Sequence, residues 1–143
     1  MEIKTLLEQR GLLIFDGAMG TQLQAKGLKT GETPELLNLT AKDLLKEIHR
    51  SYIDAGADII SANTFGANSY KLSHSGKSVD EVITAGIINC KEAIKESDKD
   101  VFCALDIGPI GQLLEPTGSL KFEEAYDIFK EEIVAGYKAG ADV

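Results

Sequence analysis

The sequence predicts an α/β fold on a parallel sheet, and three observations predict it. Short apolar runs alternate with helical periodicity, giving strand starts near residues 12, 57 and 101; strands alternating with helices imply parallel pairing with the helices outside. Each strand ends in a polar, glycine-containing exit, whereas the helix-to-strand turns are short. One such turn is written twice: Tyr52-Ile53-Asp54-Ala55-Gly56-Ala57-Asp58 returns near the C-terminus as Tyr137-Lys138-Ala139-Gly140-Ala141-Asp142.

The elements follow in order. Residues 2–9 form a short amphipathic helix with Ile3, Leu6 and Leu7 on one side. Leu12-Leu13-Ile14-Phe15 reads as a first buried strand that stops at Asp16 and turns through Gly17 and Gly20. Met19 and Leu23 share a face of a brief helix that Gly27 closes, and residues 27–38 read as loop. Thr40, with Asp43 three residues on and Leu39 and Leu44 as a staple, is expected to cap the next helix. Leu44, Leu45, Ile48, Tyr52 and Ile53 form its apolar stripe, and Gly56 ends it. Residues 57–62 are a second buried strand, leaving through Asn63-Thr64-Phe65-Gly66, and a short helix spans about 67–74.

Ser78 and Glu81 form a cleaner capping box. The helix it opens buries Val79, Val82, Ile83, Ile87, Cys90 and Ile94. Val101 to Leu105 is a third strand, ending at Asp106 and a Gly108-Pro109-Gly111 exit. A last helix carries Phe122, Ala125, Tyr126, Phe129, Ile133, Val134 and Tyr137 at helical spacing.

Active faces made from the loops after the strands are the mark of a (β/α)8 TIM barrel. A doubly wound open sheet is the alternative architecture. At this spacing eight units need about 300 residues, and the chain has 143. It stops at Val143, the expected first residue of a fourth strand. The expectation is a single unit, 1–143, covering about the first half of such a barrel: strands 1–3 and the start of strand 4. Cut there, the sheet would expose edges and an apolar face, which favours association.

Composition excludes several classes. Hydrophobic content of 43% with 27% charged residues describes a soluble globular chain. The net charge of −8, without a Lys/Arg run, argues against nucleic acid and anionic membrane as partners. No apolar run is long enough for a bilayer, and Met1-Glu2-Ile3-Lys4-Thr5 has no signal-peptide core. Two cysteines, Cys90 and Cys103, are too few for a disulfide framework and fit a reducing cytoplasm. His49 and His74 fall on helical stretches and are expected on the solvent side.

The candidate site begins at Asp16-Gly17-Ala18. A strand end, a tight glycine turn and a helix N-terminus together make an anion-binding arrangement beside an acid. The plainer reading is that Asp16 caps the helix and the glycines make the turn.

Four segments carry a resemblance: Asp16-Gly17-Ala18-Met19-Gly20-Thr21; Pro34-Glu35-Leu36-Leu37-Asn38-Leu39-Thr40; Ala55 to Ile60 with Asn63-Thr64-Phe65-Gly66; and Asp106-Ile107-Gly108-Pro109-Ile110-Gly111. In this order and spacing the chain resembles the homocysteine S-methyltransferase family, most closely its cobalamin-dependent branch. The resemblance implies a (β/α)8 barrel and methyl transfer to homocysteine sulfur, giving methionine. It implies that Asp16 and the amides of Gly17 and Ala18 hold the amino-acid end of homocysteine, with Asn63, Thr64 and Phe65 lining the same pocket. Asp106 either faces that pocket or bonds the Gly108–Gly111 turn. The family's strand-four acid is not among these residues.

The resemblance also implies zinc held by three cysteine thiolates, since coordination deprotonates a thiol. Neither Cys90 nor Cys103 matches a family ligand, and both read as small buried hydrophobes. The metal ligands are therefore expected beyond Val143, and the segment alone is expected to be inactive. Methylcobalamin recharged by methyltetrahydrofolate on other modules is the implied donor system, so the implied partners are those modules, the rest of the barrel and homocysteine. A sulfonium or betaine donor, and a non-enzymatic half-barrel interaction module, are the alternatives.

Overall fold

The computed structural model describes residues 2–143. Its elements are α1 (Ile3–Arg10), α2 (Met19–Ala25), a 3-10 turn (Pro34–Leu36), α3 (Leu37–Thr40), α4 (Lys42–Asp54), β1 (Ile59–Ser61), α5 (Ser69–Leu72), α6 (Val79–Lys95), β2 (Phe102–Ala104) and α7 (Phe122–Ala139). β1 and β2 are parallel, pairing Ile59 with Phe102, Ile60 with Cys103 and Ser61 with Ala104.

Two further segments lie along this pair. Phe15 makes a parallel bridge with Ile59. At the other edge, Leu105 N donates to Val143 O at 2.8 Å and Asp142 N to Cys103 O at 2.8 Å. The spatial order of the four parallel segments is therefore their order in the chain.

Side chains alternate across the strands. Ile60 and Cys103 join Val82, Ile83, Ile87 and Cys90 in the main core under α6. Ile59, Phe102 and Ala104 face the other way, where Leu6 of α1 covers them. A third cluster, Leu23, Leu45 and Ile48, joins α2 to α4. The cap of α6 is as the sequence indicates: Ser78 Oγ accepts from Glu81 N at 3.1 Å.

Five local expectations are corrected. Residues 12–15 are not a buried strand: the pairing is the single bridge at Phe15, and Leu12, Ile14 and Phe15 are 60%, 54% and 55% exposed. That segment has a neighbour on one edge only, so nothing among the described residues covers its outer side. The 27–38 loop is partly helical at Pro34–Leu36 and into α3, because buried Glu35 and Asn38 find polar partners there. Thr40 does not cap α4; it ends α3, its hydroxyl donating to Leu36 O at 3.4 Å. The apolar stripe of α7 faces outward, with Phe122, Tyr126 and Tyr137 69%, 57% and 82% exposed. Of the expected residues Ala125 is buried, and the inward face of α7 also carries Glu132, Ala135 and Gly136; at Gly136 the approach of Leu105 requires a small residue, since a Cβ there would come within 2.5 Å of it.

His49 is the fifth correction. It is fully buried on α4, and neither ring nitrogen has a partner among the described residues. Leu45 and Ile53, one turn to either side, are also buried. Burial lowers its pKa to about 4, so the ring is neutral. His74 is exposed, as expected.

Candidate functional site

The ends of β1, β2 and the Phe15 segment point their exits at one cavity of about 350 Å³. Asp16, Gly17, Ala18, Asn63, Thr64, Phe65 and Asp106 all line it. Residues far apart in sequence converge because successive parallel strands end on the same side of the sheet.

Asp16 stands where the first segment leaves the sheet. Its amide makes the last ladder bond, to Ile59 O at 2.9 Å. Its Oδ2 accepts from Ser61 N at 3.0 Å, fixing the carboxylate over the end of β1. Burial raises its pKa, the Ser61 bond opposes that shift, and the nearby Asp106 charge adds to it. A carboxylate held this way gains from a cationic ligand.

The Gly17-Ala18 turn is held by Tyr52, whose hydroxyl donates to Ala18 O at 3.1 Å. The ring lies so close that a Cβ at Gly17 would be 2.9 Å from it. Among the described residues, the amides of Gly17 and Ala18 donate to no protein acceptor. They are free to meet a ligand's anionic group. α2 has only seven residues, so these amides matter more than its dipole.

The other predicted residues divide by role. Thr64 is fully buried; its hydroxyl donates to Asp106 O at 2.9 Å and accepts from Asp106 N at 3.0 Å, tying the two strand exits together. Asn63 spends its amide on Pro34 O at 2.8 Å and Asn38 Oδ1 at 3.0 Å. Phe65 is half exposed over the cavity with Lys71 Nζ 5.4 Å from its ring centre. Gly108 packs beneath it, and its amide donates to Phe65 O at 3.0 Å. The Asp106 carboxylate lines the cavity and makes no hydrogen bond to the 108–111 turn among the described residues; burial raises its pKa.

Sequence reasoning missed two more residues, one that lines the cavity and one that supports it from behind. Glu35 lines the cavity while 5% exposed, and its Oε1 accepts from Gly66 N at 2.6 Å. Asn38 joins the β1 exit to α6, donating to Asn63 O at 2.8 Å and Val82 O at 3.1 Å. The available signal was an acid and an amide in a segment otherwise rich in leucine, Pro34-Glu35-Leu36-Leu37-Asn38.

The Homocysteine S-methyltransferase family model matches residues 13–143. The chain belongs to the homocysteine S-methyltransferase family. It is 31% identical to the methionine synthase of Mycobacterium tuberculosis over 99% of its own length and 13% of that protein's. The corresponding figures for the Mycobacterium leprae methionine synthase are 31%, 95% and 12%. The chain thus spans about an eighth of the curated relatives it matches. Among solved structures it resembles the metallated form of the Escherichia coli homocysteine methyltransferase MmuM, with a TM-score of 0.86 at 20% identity. That match covers 99% of this chain and 55% of MmuM. The oxidised form gives a TM-score of 0.85 at 21% identity over 99% and 54%. These likenesses show an α/β fold of the homocysteine methyltransferase type.

The chain's own cysteines do not fit a metal. Both are buried. Cys90 Sγ donates to Ile60 O at 3.7 Å, and the neighbouring Cys103 thiol, together with burial, pushes its thiol up, away from the thiolate a metal needs. Neither lines the cavity, and no group of three His, Cys, Asp or Glu side chains among the described residues could hold an ion.

Proposed function

We propose that residues 1–143 form the N-terminal part of a (β/α)8 barrel that binds homocysteine for methylation to methionine, and that they supply the wall for its amino-acid end. The sequential order of the four parallel segments supports a barrel over a doubly wound sheet, whose strand order reverses. One observation carries the site reading: the Asp16 carboxylate and the unpartnered amides of Gly17 and Ala18 line one cavity with Asn63, Thr64, Phe65 and Asp106.

Asp16 pairs with the substrate ammonium, and the two amides receive its carboxylate. Thr64 holds Asp106 in place, and Phe65 shields one side. Anchored at this end, the thiol extends away from residues 1–143. Family membership implies zinc for thiol activation, and its ligands belong to residues outside this segment, since Cys90 and Cys103 do not fit. The likeness to methionine synthases favours the methylcobalamin and methyltetrahydrofolate donor system on other modules, and a cytoplasmic enzyme. The sulfonium- or betaine-donor alternative shares the same amino-acid wall.

The test is calorimetric titration of homocysteine into the protein as its gene encodes it, and into its Asp16→Asn variant. Replacing one charge-assisted contact should weaken binding about tenfold to a hundredfold. Asparagine keeps an acceptor for Ser61 N, so the fold should be undisturbed. Unchanged affinity would remove Asp16 from the site.

A further inference from the structure

The cavity carries more negative charge than one ammonium needs. Asp16, Glu35 and Asp106 line it, and among the described residues no Lys, Arg or His does. Glu35 is the most enclosed of the three at 5% exposure. It is held by its surroundings: Asn63 Nδ2 bonds Pro34 O at 2.8 Å, and Asn38 Nδ2 bonds Asn63 O at 2.8 Å. Its Oε1 takes the Gly66 amide at 2.6 Å, an approach so close that a Cβ at residue 66 would lie 2.8 Å from that oxygen and displace the carboxylate.

Its second oxygen, Oε2, accepts no hydrogen bond among the described residues. Bonding the Gly66 amide does not call for a charge; a glutamine carbonyl would accept it equally well. An enclosed carboxylate without a counter-charge is costly, and a cation brought by the ligand offsets that cost.

We propose that Glu35 is a binding residue for the cationic end of the ligand, acting with Asp16 on the ammonium of the amino-acid substrate. The inference rests on the homocysteine reading above. It adds a carboxylate from the 3-10 turn to the strand-end acid on the wall of the same cavity. The ligand class is an amino acid with a free α-ammonium group; the desamino thiol acid, 4-mercaptobutanoate, lacks what Glu35 recognises.

The experiment uses Glu35→Gln in the protein as its gene encodes it, with homocysteine and 4-mercaptobutanoate titrated separately. Loss of one charge-assisted contact should raise the homocysteine Kd about tenfold and leave the 4-mercaptobutanoate Kd within about twofold. Equal weakening for both ligands would make Glu35 a support of the Phe65–Gly66 wall and overturn the proposal. Should Glu35→Gln fail to fold, wild-type protein carrying 13C-carboxyl glutamate decides. Homocysteine should then shift the Glu35 carboxyl resonance and 4-mercaptobutanoate should not; the same response to both overturns the proposal. Wild-type protein that binds no homocysteine overturns the functional reading and this inference together. Wild-type binding with an unaffected Glu35→Gln variant overturns this inference alone.

Discussion

The Asp58 carboxylate accepts the backbone amide of Ile14 at 2.9 Å. Asp142 does the same for the amide of Cys103 at 2.8 Å. The repeated Ala-Gly-Ala-Asp phrase thus does the same thing twice, since each aspartate follows a helix-closing turn and satisfies a backbone amide of the neighbouring parallel segment. Arg10 adds an ion pair to Asp58, and Lys91 bonds Asp142 at 2.7 Å. Asp58→Ala should cost about 1–3 kcal/mol by orphaning a part-buried amide. Asp58→Asn, which keeps an acceptor, should cost less. Denaturant midpoints of the two variants check this.

Gly108 lies where no side chain fits. A Cβ there would come within 2.3 Å of Phe65 O and 2.9 Å of its ring. Backbone must shift to relieve that contact. Gly108→Ala should destabilise by about 1–3 kcal/mol, as overpacking does, and weaken homocysteine binding by moving Phe65. Thermal unfolding and calorimetry on the same sample read both effects.

His49 sets an acid limit. Its folded pKa is about 4 against an ordinary 6.5. Between these values the unfolded chain binds the proton and the folded chain does not, so stability rises with pH across the window. Its contribution is full above pH 6.5 and is lost as the pH falls toward 4. His49→Leu should remove this dependence, seen as a smaller drop in urea midpoint between pH 7 and pH 5 than wild type shows.

Glu132 acts in the opposite sense. Both its oxygens are buried without a partner among the described residues, and burial raises its pKa to about 7 from 4.5. In that window the folded chain holds the proton and the unfolded chain does not, so stability falls as the pH rises. Glu132→Gln should be more stable than wild type at pH 8 and no more stable at pH 4.5. Because the windows of His49 and Glu132 overlap, each variant is compared with wild type at every pH. Stability of Glu132→Gln that tracks wild type throughout would refute the burial argument.

Much of the molecule follows from the sequence alone. Residue periodicity decides α6, its Ser78 cap and its buried face, because a long amphipathic helix has one way to hide that face. Strand-end chemistry decides the cavity's seven predicted residues, because parallel strands deliver their exits to one side. The tertiary structure alone decided what long-range contacts set. Leu12, Ile14 and Phe15 look buried by composition but are exposed, since burial depends on a neighbour that local sequence does not specify. The outward turn of α7 follows from how closely α6 and Leu105 approach Ala135 and Gly136. His49, Glu35 and Asn38 are polar by type and buried by position; their places were set by partners far away in the chain, which no local pattern encodes.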